Sequence, residues 1–284
     1  MAHKLFYLFL SILVFFSCVG GGGGGGGSSS VSAESTNSYW ALSRFPISFV
    51  YSTDFNSSEI AAVSTMVDAW EDALGDTYDF MSVSGGTSEK SASGLSALYD
   101  GEMGVYRATS WPSELPASAL AVTQIYGTQS GANVVMDHAD IIMNYENFTF
   151  TTDGSFGYDF QTVLLHEMGH FLGLSHMGSS TDDSVMYPSI TRYVSNRAPL
   201  ATDTATLTAK YAAVSSSLVA EDTYALKLAL NGDEEDGEVI IRHYLMSNGD
   251  EMLKVFSKDG NEISSRNLHC NSHRSLYTAS GHRH

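Results

Sequence analysis

Two residue classes are scarce in this 284-residue chain, and each scarcity excludes something. There are 2 cysteines, Cys18 near one end and Cys270 near the other. No disulfide framework can therefore staple the body of the protein, and stability must come from an apolar core and any bound metal. Lysine and arginine total 14 against 32 aspartates and glutamates, a formal net charge of −18. Nucleic-acid binding needs a basic footprint, so that class of partner is excluded. The acidic excess serves solubility and offers carboxylate ligands for calcium (Ca2+). A long apolar run is missing as well. Leu5 to Phe16, interrupted by Ser11, is too short to span a bilayer as an ordinary helix. No internal repeat of useful length is present.

What the N-terminus does contain is the order of features of a targeting segment. Lys4 precedes the apolar run, Ser17-Cys18 follows it, and Gly20 to Gly27 is an unbroken glycine stretch. This resembles a bacterial lipoprotein signal, in which the cysteine becomes the lipidated first residue; the alternative is a plain secretory signal cut near the glycines. The expectation is a signal over 1–18 and a Gly/Ser tether over 19–38. The protein is then exported, as a cell-envelope lipoprotein held to the membrane if Cys18 is acylated, and otherwise periplasmic or secreted.

Folded sequence is expected from about residue 39. Pro46 to Tyr51 reads as a strand. Asn56 and Ser57 are capping candidates for a helix over 58–74, with Ile60, Val63, Met66, Val67, Trp70 and Leu74 on one apolar face and Gly75 to end it. Short strands follow at 80–83, 104–109, 119–126 and 139–145. A helix capped by Asp159 should run to Leu172, and another should occupy 202–213. Beyond Ser217 the texture changes: 224–230, 239–246 and 251–256 look like strands, and Asn231-Gly232, Asn248-Gly249 and Asp259-Gly260 like hairpin turns. These predict a small β module over 218–266, apart from a domain at 39–213, and a polar disordered tail over 267–284.

The chemistry is carried by His166-Glu-Met-Gly-His170-Phe-Leu-Gly173-Leu-Ser-His176. Residues four apart share a helix face, so His166 and His170 can point two imidazoles at one metal. Glu167 lies beside that metal, where a carboxylate can take a proton from a bound water and pass it to the leaving amine. Gly173 permits the turn that brings His176 round as third ligand. Three protein ligands leave one position open, the mark of a catalytic rather than a structural zinc (Zn2+). From this chain's own residue frequencies, the full pattern would arise by chance in roughly one such chain in twenty thousand, so coincidence is set aside. Elsewhere His138 and Asp140 are too few for a structural zinc site, and the tail histidines 269, 273, 282 and 284 offer adventitious binding only.

The motif resembles that of the metzincin zinc peptidases. Met186, in Ser184-Val-Met-Tyr-Pro188, is similar to the Met-turn beneath their zinc, and its Met-Tyr-Pro form is most similar to the matrixin, or matrix metalloproteinase-like, group in a short bacterial form. Residues 158–190 carry the likeness strongly and 39–213 loosely. Asp203 falls in a segment similar to the family's closing helix. Departures exist: Met177 stands where matrixins usually have serine, Ile142 replaces a histidine of their structural zinc, and no cysteine-containing propeptide motif precedes Tyr39. The polar segment 178–184 reads as a loop, with a bound ion as the alternative.

The resemblance implies an α/β (α+β, zincin-like) fold: a twisted, mostly parallel sheet with an active-site helix and a backing helix. It further implies one catalytic zinc and endopeptidase activity on extended protein or peptide substrates in a monomer. Substrate would add a strand to the edge at 119–126, with Leu120, Ala121 and Val122 as contacts and a side-chain pocket bounded by Pro188 and Ile190. The rival is a membrane-tethered binding protein that keeps the fold without useful turnover.

Overall fold

The computed structural model describes residues 37–269 apart from 76–77, 88–89, 91–93, 131–132, 229–236 and 249. The expected signal, the tether up to residue 36, the tail from 270 and the Asn231-Gly232 turn lie outside the described residues, while 37–38 of the expected tether and 267–269 of the expected disordered tail are in strands, held there by pairing with neighbouring strands.

Strands β1 (Asn37–Trp40) and β2 (Ile47–Ser52) lead into helix α1 (Ser57–Leu74). Asn56 caps that helix by accepting from the backbone N–H groups of Ser58 and Glu59, while the Glu59 carboxylate takes the N–H of Asn56 at 2.9 Å. Val63, Met66, Val67, Trp70 and Leu74 turn inward, and Gly75 at φ 64° ends the helix. Strands β3 (Met81–Thr87), β4 (Met103–Ala108), β5 (Ala119–Ser130) and β6 (Asn133–Asn144) complete the first sheet region. A two-stranded ribbon of β7 (Phe150–Thr151) and β8 (Tyr158–Asp159) precedes helix α2 (Phe160–Phe171). The Asp159 carboxylate caps α2 through the Thr162 N–H at 2.8 Å and is itself held by Arg197.

Helix α3 (Ala201–Leu228) is longer than the sequence suggests, and the strand expected over 224–230 is helical as far as Leu228. Once a helix is nucleated each added residue costs little, and Ala225, Leu226, Lys227 and Leu228 are good helix formers. Strands β9 (Glu238–Met246), β10 (Asp250–Ser257) and β11 (Glu262–His269) follow.

The nine-stranded sheet runs β11-β10-β9-β5-β6-β4-β2-β3, with β1 beside β6. Pairings among β1, β2, β3, β4 and β6 are parallel, whereas β5 and the three C-terminal strands pair antiparallel. Two expectations are corrected here. The strands predicted as a small β module do form, with turns near 248 and 260, but they extend the main sheet instead of standing apart. Strand β5, expected as an edge, is internal because β9 covers it. The physical reason is burial. Val239, Ile240, Ile241, Tyr244, Leu245 and Met246 make β9 apolar on both faces, and such a strand needs cover on both sides.

Candidate metal centre

Helix α2 presents His166 and His170 one turn apart with ring centroids 4.8 Å from each other. Gly173, at φ 92°, then reverses the chain; a Cβ there would stand 2.4 Å from the Ser38 carbonyl oxygen. The turn is fixed by Gly173 N–H to the His170 carbonyl and Leu174 N–H to the Gly169 carbonyl, both 2.8 Å. It delivers His176, whose Nε2 lies 3.1 Å from that of His170; the Nε2 atoms of His166 and His170 are also 3.1 Å apart.

The hydrogen bonds decide the tautomers. His166 Nδ1–H donates to the Val185 carbonyl and His170 Nδ1–H to the Leu174 carbonyl, each at 2.7 Å. In a neutral imidazole the second nitrogen then carries only a lone pair. Both rings stay neutral: burial, then the neighbouring His176, holds His166 down to about 3, with the Val185 carbonyl opposing. Burial, then His243, His176 and His166, holds His170 well below its ordinary value. Lone pairs at 3.1 Å repel unless a cation sits among them. Zinc at about 2.0–2.1 Å from tetrahedral nitrogens sets them about 3.3–3.4 Å apart, so the donor set fits that ion. Among the described residues, His166, His170 and His176 are the one cluster of three or more potential metal-ligating side chains.

The surroundings lock this geometry. Trp40 and Trp70 donate their indole N–H groups to carbonyls of α2, at Phe171 (2.7 Å) and Leu165 (3.1 Å). Met186 is fully buried beneath the helix, and a Cβ on Gly169 would lie 2.2 Å from its sulfur. Asp203 on α3 holds the Met186 turn, accepting from Ser184 Oγ at 2.5 Å and Val185 N at 3.0 Å. Pro188 and Ile190 are buried just beyond.

Glu167 is wholly buried, and burial raises its carboxyl to about 8 against the opposing hydrogen bond from Thr123 Oγ1, at 2.5 Å. Its other oxygen has no hydrogen-bond partner among the described residues. Leu120, Ala121 and Val122 lie on β5 as expected, but all three are fully buried, with Ala121 paired to Leu245 and Val122 to Tyr244. His138 stays away from the triad: its Nε2 sits 2.7 Å from Asp140 and 3.0 Å from the Leu98 carbonyl. The 178–184 segment folds as a loop tied by Ser179 to Asp183 and by the Asn196 amide to the Thr181 carbonyl, at 2.6 Å.

Sequence reasoning missed two neighbours of the triad. His243 on β9 stacks on His170, with centroids 4.2 Å apart and planes at 18°. Glu251 on β10 places Oε1 3.7 Å from His176 Nδ1. The available signal was the lack of a polar face on β9, which shows that the strand is internal but not against what.

Sheet, active-site helix, Met-turn and three converging imidazoles define a metzincin-type zinc protein. More narrowly, the chain belongs to the matrixin family, whose family model (Peptidase_M10, Matrixin) matches residues 51–212. Matrixins are zinc-binding metallopeptidases, and the family therefore implies protein or peptide substrates. No curated protein sequence matches the chain.

Proposed function

We propose that this protein is a zinc-dependent endopeptidase that hydrolyses internal bonds of extended polypeptide, with Glu167 as general base. The observation that carries the reading is the conjunction of three imidazoles converging on one point with a carboxylate one residue along the same helix. His166, His170 and His176 would hold the zinc, which when bound polarises a carbonyl and lowers the pKa of water. Glu167 then accepts a proton at its carboxylate and returns it to the leaving amine. Thr123 orients that carboxylate through its hydroxyl. The Val185 and Leu174 carbonyls fix the tautomers that leave Nε2 free for metal.

The test is Glu167→Gln. Zinc content and fold should be retained, because the residue is assigned no ligand role. Cleavage of a denatured protein, itself abolished by chelator, should fall by about 10²–10⁴-fold. Activity within tenfold of the parent would remove Glu167 from the mechanism.

A further inference from the structure

The peptidase reading needs an open strand edge on β5 and access to Glu167, and the folded chain offers neither. Strand β9 runs antiparallel along β5 from Ala119 opposite Met246 to Thr128 opposite Glu238. Its C-terminal end also makes a parallel bridge from Met246 to Ser189, in the segment that bounds the expected side-chain pocket. A strand paired to β5 and bridged to the 188–190 segment occupies both the edge and the pocket wall expected to bind an extended substrate. Residues 238–269 fall outside residues 51–212, which the family model matches.

The side chains agree with the backbone. His243 pairs in register with Thr123, the residue that holds Glu167. Its ring covers His170, and its Nε2 is buried without a hydrogen-bond partner among the described residues. Val239, Ile241 and Leu245 pack into the main core, while Tyr244 and Met246 pack on the opposite side. Behind them Glu251 approaches His176 and is held from β11 by Arg266 at 3.5 Å. His166, Glu167 and His170 are left with no exposed surface at all.

We propose that β9–β11 are a built-in pseudosubstrate: β9 fills the cleft in place of extended polypeptide, with His243 at the metal centre, and the chain turns over slowly, only while β9 is off β5. This rests on the reading of the site as a peptidase. The same sheet edge that would bind substrate is the one the chain closes with its own strand.

The test uses the intact zinc-loaded chain and a probe, an extended peptide ending in a hydroxamate. Binding should be slow, with a rate that levels off as probe is raised, because β9 must depart first. Amides of 238–246 should exchange at least tenfold faster in the complex. Thr128→Cys with Glu238→Cys, with Cys18 and Cys270 replaced by serine, pins the register pair when oxidised and should slow binding at least tenfold until reduced. Ile241→Asp with Leu245→Asp should speed binding at least tenfold. Fast binding in proportion to probe, with β9 amides still protected, would overturn the proposal, as would indifference to the disulfide. If the double aspartate variant does not retain zinc and native circular dichroism, the disulfide pair and the exchange data decide alone. A folded released variant that binds probe yet cleaves no protein would refute the peptidase reading and leave the displacement of β9 standing.

Discussion

At the scale of single residues, small absences of volume and charge matter most. Gly169 is on α2 between the two helix histidines, and the missing Cβ is what lets Met186 lie against the helix. Gly169→Ala would force the Met186 sulfur or the helix to move, at a cost of about 1–3 kcal/mol. It should lower the melting temperature and weaken zinc retention against a chelator; unchanged values would mean the Met186 side chain simply turns away. Asp140 is a second case. Burial raises its carboxyl to about 6 from an ordinary 3.8, although His138 pulls the other way. The folded state therefore holds more proton than the unfolded state between about pH 4 and 6, and stability falls as pH rises through that window. Asp140→Asn keeps an acceptor for His138 and removes the charge. Its stability relative to the parent should be more favourable at pH 7 than at pH 4.5 by on the order of 1–3 kcal/mol. A constant difference across that range, in paired denaturant titrations, would contradict the assignment.

At the scale of elements, the metal site is built from α2, the turn after it and the first turn of α3. Asp203 links them: its carboxylate also takes the Leu200 N–H at 2.8 Å, and through Val185 it positions the carbonyl that orients His166. Asp203→Ala leaves buried donors unpaired and should cost about 2–5 kcal/mol. Because the loss reaches His166 through Val185, zinc affinity should fall about 10–100-fold. Chelator competition beside a thermal melt separates the two effects; destabilisation with unaltered zinc affinity would show that Asp203 serves the fold alone. The element reasoning also shows which sequence signals carried far. The apolar face of α1, its Asn56 cap and the Asp159 cap of α2 were all readable because each depends on neighbours within four residues.

At the scale of the whole molecule, β9 seals the cleft along β5, and the N-terminal segment bears on where the protein is held. Among the described residues no helix is long and apolar enough to cross a membrane. We propose that attachment comes instead through lipid on Cys18. Parent protein made in a bacterium should fractionate with membranes and gain the mass of acyl chains, while Cys18→Ala should lose both. Soluble parent protein with an unmodified terminus near the glycine run would reduce the segment to a secretory signal.

The sequence by itself determined that the three histidines converge, because a helix, a glycine turn and a Met-turn bring His166, His170, His176 and Met186 together within some twenty residues. It likewise determined that 239–246 and 251–256 are strands, from their composition. Only the tertiary structure decided where those strands go. Alternation of side chains tells which faces of a strand are buried, but the edge it joins depends on hydrogen bonds between segments far apart in the chain. Thr123 and His243 are paired across more than a hundred residues, and no local pattern records that pairing. So the convergence of the histidines was legible and its cover was not: their approach is set by short-range geometry, whereas the strand that covers them is chosen by long-range burial.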